Sequence, residues 1–354
     1  QGFRDSFALI GNLQSTPRRT QDRNRPVADQ PRGPMTLAEF NNEPDTDFAL
    51  PANLRWVQQL VEQWKPRCND SAIDIPLVIA GEEIRSGHEL LDCRDPSRPN
   101  VVVARYRQAD GADLKRAIDC AVRDPKGWRD MPENERDEIL ARVAHELRRA
   151  RGELIGAALA DTGKLISESD PEVSEAIDFA ELYPASARAL RALPGVDASP
   201  KGVVAVVPPW NFPIAIPCGG VCAALAAGNS VLLKPASHSV LVGYQLARCF
   251  WRAGVPKEVV QFVPCTGATG GAELVASPEV DLVILTGGTD TALRMLDVRP
   301  DLQLLAEPGQ ERHHRDGHVG PRAGNQACAA FGLQPRRPEV LGNLVTGAGS
   351  GAVR

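Results

Sequence analysis

Long apolar runs, a strong net charge and patterned cysteines are all missing from this sequence. No stretch approaches the roughly 20 consecutive apolar residues that a membrane-spanning helix needs, so no membrane partner is expected. The 40 Lys and Arg residues nearly balance 45 Asp and Glu residues, and a net charge of −5 gives no basis for binding nucleic acid. The eight cysteines follow no disulfide-framework spacing, which favours reduced thiols in a cytoplasmic protein.

Spacings typical of metal ligands are also scarce. Cys218 and Cys222 lie one turn apart on a stretch that is predicted to be a buried helix, where free cysteine behaves as a small hydrophobe. His313 and His314 have no Cys or carboxylate at ligand spacing. The sequence therefore predicts no metal site.

The start of the chain has little that indicates a fold. Gln1-Gly2-Phe3 provides neither an initiator Met nor the apolar core of a signal peptide, which favours a fragment of a longer chain. Residues 1–40 are rich in Arg, Gln, Asn and Pro with little periodicity, and this composition predicts disorder. The whole chain, with 43% hydrophobic and 24% charged residues, has the composition of a soluble globular protein of one or two domains.

The stretch Lys201–Pro235 is the most informative part of the chain. Residues 202–207 form a short β-branched run bounded by Gly and Pro, typical of a strand that is buried on both faces. Small and apolar residues at helical spacing over 214–227, followed by Gly228-Asn229, predict a helix with a left-handed cap. Residues 230–233 then predict a second strand, which completes a βαβ crossover.

The alternation of strands and helices continues on both sides of this unit. Before it, the pattern predicts a hairpin arm over 75–83 with a companion strand at 101–105, and helices over 113–122, 133–149 and 171–193, the last starting at Pro171 and kinked by Pro184. After it, the pattern predicts a helix from Val240 to Gly254, strands at 259–263 and 282–285, and helices over 269–276 and 290–296. These β-α units predict an α/β fold with a doubly wound parallel sheet, in which ligands bind beyond the carboxyl ends of the strands.

Two linked motifs at that edge resemble the aldehyde dehydrogenase superfamily. They are Pro209-Trp210-Asn211-Phe212-Pro213 and, one crossover later, Lys234-Pro235-Ala236. Asn42–Phe48 further resembles the entry segment of 1-pyrroline-5-carboxylate (glutamate-γ-semialdehyde) dehydrogenases, including the dehydrogenase half of bifunctional proline-utilisation enzymes. An acidic surface turn is the alternative for that segment.

The resemblance implies a domain organisation. Residues 41–306 would form a Rossmann-like NAD(P)-binding domain, with an arm near 193–200 that pairs subunits in this family. Residues 307–354 would hold only the start of a catalytic domain. A homo-oligomer is expected from the family, although a chain without most of its catalytic domain is a doubtful candidate for one.

The resemblance also implies cofactor-binding residues. Lys234 would donate to the hydroxyls of the adenosine ribose, and a solvated strand-end lysine is the alternative. Ser237 replaces an acidic residue found in most NAD-specific relatives, so NADP is possible beside NAD. The full set of implied cofactor residues is Pro209, Trp210, Lys234, Ser237, Gly267, Gly271, Thr286, Gly287 and Gly288.

Aldehyde oxidation needs a thiolate nucleophile, an oxyanion donor and a general base. By resemblance, Asn211 is the oxyanion donor, or alternatively a cap of the following helix, and Glu307 is the base. The family's Gly-Gln-x-Cys nucleophile motif is absent, and Cys328 follows Glu307 more closely than the nucleophile does in relatives.

The sequence after Gly309 loses all apolar periodicity and permits two interpretations. It is either a disordered tail or the product of a shifted reading frame. Reverse translation from Gly309, read one base later, permits Gly-Lys-Asn-Ala-Thr-Ile-Val-Thr. Over 337–341 it permits Gly-Gln-Lys-Cys, where relatives place their nucleophile.

The expected function is NAD(P)-dependent oxidation of an aldehyde to a carboxylate. By resemblance the small-molecule substrate is L-glutamate γ-semialdehyde, oxidised to glutamate in proline catabolism. This chain is expected to be inactive because the catalytic Cys is missing. The alternative is a non-catalytic nucleotide-binding or assembly module.

Overall fold

The structure is a computed structural model that describes residues 19–308 and the backbone of Gln334–Pro335. Its helices are α1 (Pro51–Trp64), α2 (Gly111–Arg123), α3 (Glu133–Arg149), α4 (Arg151–Thr162), α5 (Ile166–Arg191), α6 (Ala215–Ala226), α7 (Val240–Arg252), α8 (Gly270–Ala276) and α9 (Thr289–Val298). Its strands are β1 (Ile73–Ile75), β2 (Leu77–Ile79), β3 (Glu82–Ile84), β4 (Leu90–Arg94), β5 (Val102–Arg107), β6 (Val196–Asp197), β7 (Val203–Val207), β8 (Ser230–Leu233), β9 (Val260–Phe262), β10 (Leu282–Gly287), β11 (Leu304–Pro308) and β12 (Gln334–Pro335).

The main sheet has seven strands in the order β11-β10-β7-β8-β9-β2-β3. The five strands from β11 to β9 are parallel, because helical crossovers connect them. The β2-β3 hairpin adds two antiparallel strands at the β9 edge. This arrangement confirms the predicted α/β fold with its doubly wound parallel sheet.

Alternate residues of the central strand enter two different cores. Val204 and Val206 pack into a core with side chains of α3 to α7. Val203 and Ala205 point to the other face and pack with side chains of α2, α8 and α9. Both faces of the sheet are therefore covered, which explains why its strands read as continuous apolar runs in the sequence.

The predicted companion of the hairpin arm pairs elsewhere. The hairpin forms as expected between β2 and β3, but β5 lies parallel to β1 and antiparallel to β4 in a separate three-stranded sheet. Pro76, which lacks an N–H, separates β1 from β2, so one apolar run is divided between two sheets. The prediction that residues 101–105 accompany the hairpin was wrong for this reason.

Three helical regions differ from the sequence-based expectation. Helix α5 begins at Ile166 rather than Pro171, where the Glu168 carboxylate accepts a hydrogen bond from Leu165 N at 3.2 Å. Helices α1 and α4 were not predicted at all. Helix α4 is buried around most of its circumference, so it shows no amphipathic stripe by which a sequence pattern could identify it.

Part of the segment predicted to be disordered is in contact with the folded domain. Residues 1–18 lie outside the described residues, but Arg23 donates its backbone N–H to Asn53 Oδ1 at 2.8 Å and its side chain to Thr46 Oγ1 at 3.0 Å. Hydrogen bonds thus hold a segment that is too polar to be held by burial. The disorder expected for residues 1–40 as a whole stays a prediction.

The segment Asn42–Phe48 lies against helix α5 and is more than an acidic surface turn. Asp178 accepts hydrogen bonds from Asn42 Nδ2 at 2.7 Å and Glu43 N at 2.6 Å. Asp170, which is fully buried, accepts from Thr46 N and Oγ1 at 2.6 and 2.5 Å. Two carboxylates of one helix therefore fix the backbone of the segment.

The remaining organisational predictions concern the arm and the membrane. Strand β6 lies within the predicted arm and pairs antiparallel with β12, while its use in subunit pairing stays a prediction. Across residues 19–308 no helix is both long and apolar enough to cross a bilayer.

Candidate active site at the carboxyl edge of the sheet

The strand register brings most of the predicted site residues to one edge. Val206 pairs with Leu233, so the loop after β7 and Lys234 after β8 leave the sheet side by side. Thr286 at the end of β10 pairs with Glu307 at the end of β11. Residues from four separate strands therefore meet where ligands of such sheets bind.

Lys234 is a buried cation with little to neutralise it. Its residue is 6% exposed, and its Nζ atom makes one long contact of 3.5 Å, to the carbonyl of Pro235. No carboxylate of the described chain forms an ion pair with it, and burial lowers the pKa of its ammonium group. The alternative of a solvated lysine does not describe this side chain.

Lys234 opens into a cavity of about 570 Å³ between helices α8 and α9. Gly267 and Gly271, both predicted as cofactor residues, line the same cavity. The remaining lining residues are Val207, Ala268, Ala272, Val275, Thr291, Arg294, Met295, Asp297 and Val298. The residues of α9 were missed by the sequence analysis, although Thr291, Arg294 and Val298 recur at helical spacing.

The glycines of this region serve different purposes. A Cβ at Gly267 or Gly288 would meet nothing within 4 Å, so packing within the described chain does not require glycine at these turns. A Cβ at Gly271 would lie 3.5 Å from Lys234 Cε. Gly270, which the sequence analysis did not single out, is required by packing because a Cβ there would lie 2.6 Å from Cys265 Cβ. The open turns are those expected where a ligand approaches backbone N–H groups.

The structure separates the other predicted cofactor residues from the Lys234 cavity. Trp210 and Ser237 line a neighbouring cavity of about 540 Å³. Pro209 is partly buried in the loop after β7, Gly287 ends β10, and Gly288 precedes α9. The nine residues thus follow the sheet edge rather than a single pocket.

A buried carboxyl group lines the same cavity as Ser237 and was missed by sequence reasoning. Asp161, at the end of α4, accepts hydrogen bonds from the first amides of α7, Leu241 N at 2.9 Å and Val242 N at 3.4 Å. Interaction with the Cys93 thiol also favours the charged form of this carboxyl group. Burial raises the pKa of Asp161 to about 7 despite these donors.

Asn211 presents its side chain to solvent in the loop between β7 and α6. Trp210, Asn211 and Phe212 are all exposed, and they line a further cavity of about 570 Å³. The alternative role of Asn211 as a helix cap is not what the structure shows. The first amides of α6, Ile214 N and Ala215 N, donate instead to Glu172 Oε2 at 2.9 and 3.2 Å.

Glu307 is half-buried at the end of β11 and contributes to the electrostatics of α5. Burial raises the pKa of Tyr183, and the negative charge of Glu307 adds to that effect. The adjacent Thr286 hydroxyl is buried and has no hydrogen-bond partner among the described residues. Such an orphaned polar atom at a ligand-binding edge fits a bound polar molecule.

The structure describes some of the cysteines and histidines that were considered as metal ligands or nucleophiles, and others lie outside the described residues. Cys218 and Cys222 are fully buried in α6 with their sulfurs 3.8 Å apart, and burial raises the pKa of Cys218. Cys328, His313 and His314 lie outside the described residues. One group of possible metal ligands occurs within residues 19–308, His88 with Asp110 and Asp113, whose two carboxylates form the capping box of α2.

Comparison with known proteins identifies the family to which the chain belongs. Residues 84–301, more than half of the chain, match the family described as "Aldehyde dehydrogenase family". This chain belongs to the aldehyde dehydrogenase family. Aldehyde dehydrogenases are oxidoreductases, as the two motifs around Asn211 and Lys234 predicted.

The relatives of this aldehyde dehydrogenase chain point to one subgroup. It is 34% identical over 271 residues to the 1-pyrroline-5-carboxylate dehydrogenase of Staphylococcus haemolyticus, covering 74% of this chain and 52% of the relative. The crystal structure of 1-pyrroline-5-carboxylate dehydrogenase from Thermus with bound NAD is 31% identical with a TM-score of 0.71, covering 78% of this chain and 56% of that one. Proline utilization A (PutA) from Bdellovibrio bacteriovorus is 29% identical with a TM-score of 0.72, covering 78% and 30%. The chain therefore spans about half the length of the curated relatives it matches.

Proposed function

We propose that this chain is the dinucleotide-binding part of an NAD(P)-dependent aldehyde dehydrogenase. One observation carries the proposal: the buried ammonium group of Lys234 has no counter-ion in the described chain and lines an open cavity of about 570 Å³. Burying a charge without a partner is costly, so such a group indicates a ligand with oxygen acceptors. The hydroxyls of a dinucleotide's adenosine ribose supply such acceptors.

The residues present fit the remaining parts of a nicotinamide dinucleotide. The open turn at Gly267 and the start of α9 after Gly288 offer N–H groups to the phosphates. The orphaned Thr286 hydroxyl and the loop at Pro209 and Trp210 lie farther along the same edge. When bound there, the nicotinamide would accept a hydride from the substrate.

We assign Asn211 and Glu307 to the chemical steps of the complete enzyme. The exposed Asn211 amide would donate to the oxyanion of the attacked aldehyde, because no helix terminus competes for it. The Glu307 carboxylate, at the end of β11, would activate water for hydrolysis of the thioester. These steps also require a thiolate nucleophile. The sequence of this chain contains no Gly-Gln-x-Cys motif to supply it.

The proposed substrate is L-glutamate γ-semialdehyde, the open form of 1-pyrroline-5-carboxylate, which would be oxidised to glutamate in proline catabolism. Support comes from the names of the relatives from Staphylococcus and Thermus and from the segment Asn42–Phe48 fixed against α5. A second candidate, a non-catalytic nucleotide-binding module, is favoured by the missing nucleophile motif. Both candidates require the Lys234 cavity, and they differ in whether the chain turns over an aldehyde.

Calorimetry with NAD⁺ and NADP⁺ tests the shared requirement. We expect both dinucleotides to bind, because by resemblance Ser237 stands where NAD-specific relatives carry an acidic residue that would repel a 2′-phosphate. Lys234→Ala should weaken binding about tenfold to a hundredfold, the effect expected for losing hydrogen bonds from a charged donor. Lys115→Ala is the matched control, since Lys115 is an exposed lysine paired with Asp119 on α2. Equal affinity of wild type and Lys234→Ala would remove Lys234 from the site.

A further inference from the structure

A lysine from the turn between α4 and α5 contacts the loop between β7 and α6. Gly163, which directly follows α4, is left-handed with φ of 67°, and this turn leads into Lys164. Lys164 Nζ donates to the carbonyl of Asn211 at 2.6 Å and lies 4.0 Å from the centroid of the Phe212 ring. One ammonium group therefore contacts both the peptide and the aromatic ring that follow the Asn211 side chain.

A carboxylate completes this arrangement at the other end of the loop. Glu172 of α5, whose side chain is 2% exposed, forms an ion pair with Lys164. Its second oxygen accepts the hydrogen bonds from Ile214 N and Ala215 N described above. The pair thus joins the middle of the loop to the first turn of α6, and we call Lys164 and Glu172 the loop clamp.

The energetics make the two members of the loop clamp interdependent. A buried ion pair is stable only while each charge keeps its partner, and removing one leaves the other uncompensated. The helix N-terminus favours the negative charge on Glu172, and that charge in turn holds the ammonium of Lys164 below Asn211. The carbonyl of the Asn211–Phe212 peptide is thereby held by Lys164, which lines the same cavity as Asn211.

We propose that Lys164 and Glu172 are positioning residues that aim the side-chain amide of Asn211 across the carboxyl edge of the sheet. The inference rests on the proposed function in that Asn211 serves as an oxyanion donor. The loop carries three exposed side chains in succession and makes no use of Asn211 as a helix cap. Without the clamp, the direction of that amide would be set by a solvent-exposed loop alone.

The experiment compares Lys164→Met, Lys164→Arg and Glu172→Gln in the purified chain labelled with ¹⁵N-asparagine. The side-chain amide resonance of Asn211 is assigned by its loss in Asn211→Asp. We expect that resonance to shift or broaden in Lys164→Met and in Glu172→Gln, and to return to its wild-type position in Lys164→Arg. Hydrogen exchange at the Ile214 and Ala215 amides should accelerate about tenfold or more in Lys164→Met. The reason is that this variant removes the ammonium group that orients the Glu172 carboxylate.

Two outcomes are decisive against the loop clamp. An Asn211 resonance that is identical in wild type and Glu172→Gln overturns it, even if Lys164→Met fails to fold. A Lys164→Arg resonance that resembles Lys164→Met also overturns it, since a retained charge should restore the orientation.

Titration with adenosine diphosphate separates this inference from the proposed function. Its binding to the Lys234 cavity should be equal in wild type and Lys164→Met, because neither member of the clamp lines that cavity. Absence of binding in the wild type counts against the proposed function, whereas the Asn211 resonance reports on the clamp in either case.

Discussion

Two buried carboxylates in this protein receive the N-termini of helices that lie far along the chain. Glu172 accepts the first amides of α6, and Asp161 accepts those of α7. Neither helix has a side-chain cap from its own N-cap residue. The four free N–H groups at a helix start need acceptors when they are buried, so a distant carboxylate replaces the usual local Ser, Thr, Asp or Asn.

Asp161 makes the stability of the protein depend on pH in a defined direction. Its pKa rises from an ordinary 3.8 to about 7 on folding, so the folded state holds the proton more tightly than the unfolded state. The resulting stabilisation is complete below about pH 4 and is lost as the pH rises through about 7. Asp161→Asn keeps an oxygen acceptor for Leu241 and Val242 but cannot ionise.

We expect Asp161→Asn to gain stability relative to wild type as the pH rises from 5 to 8. The gain should be on the order of 2–4 kcal/mol at most, the value that corresponds to the pKa shift. Urea unfolding at both pH values measures it, with the exposed Asp70→Asn as control. A wild-type-to-variant difference that is constant over this range would contradict the assignment.

At the scale of elements, helix α1 packs on α4 through a position that only glycine can fill. A Cβ at Gly156 would overlap the indole ring of Trp64, whose side chain is buried between the two helices. A Cβ at Gly152, one turn earlier, would lie 3.0 Å from the flexible end of Leu60. The two glycines of α4 therefore differ in what an added methyl group meets.

We expect Gly156→Ala to destabilise the protein and Gly152→Ala to be close to neutral. Overpacking costs about 1–3 kcal/mol, whereas replacing a helical glycine by alanine gains at most about 1 kcal/mol. At Gly156 the overpacking cost is the larger of the two, because the indole ring is rigid. At Gly152 a rotation of the Leu60 side chain relieves the overpacking. Denaturant unfolding of the two variants provides the comparison, and equal stabilisation by both would refute the packing argument.

At the scale of the whole molecule, the exposed apolar surface at the site edge is smaller than the sequence suggests. The location of Trp210, Phe212 and Leu285 at the carboxyl ends of strands predicts that all three face solvent. Trp210 and Phe212 are 55% and 46% exposed, but Leu285 is 3% exposed because β10 extends to Gly287 and its side chain packs with α8 and α9. The prediction for Leu285 was wrong, since the end of the strand was placed too early.

We expect the purified chain to show no dinucleotide-dependent oxidation of glutamate γ-semialdehyde. The physical reason is that no thiol in this chain stands in the family's nucleophile motif, whatever the state of the cofactor cavity. The assay follows formation of the reduced dinucleotide, with the full-length Thermus relative as a positive control. Turnover that is abolished by Cys328→Ser would show that this cysteine acts as the nucleophile.

The sequence by itself determined the βαβ core and the family, and it predicted the edge at which the candidate site lies. Buried strands such as residues 203–207 and turns such as Gly228-Asn229 depend on neighbours along the chain, so local pattern identifies them. Lys234 could be predicted as a candidate site residue because it stands at the carboxyl end of such a strand. These features required no knowledge of distant contacts.

Only the tertiary structure decided which distant groups meet. The pairing of β5 with β1, the placement of Arg294 in the Lys234 cavity and the loop clamp under Asn211 all join residues that are remote in the chain. The sequence does not distinguish a glutamate that is solvated on a helix surface from one, such as Glu172, that caps another helix. Its role is set by burial and by the N–H groups opposite it, and those arise from packing that no periodicity in the sequence records.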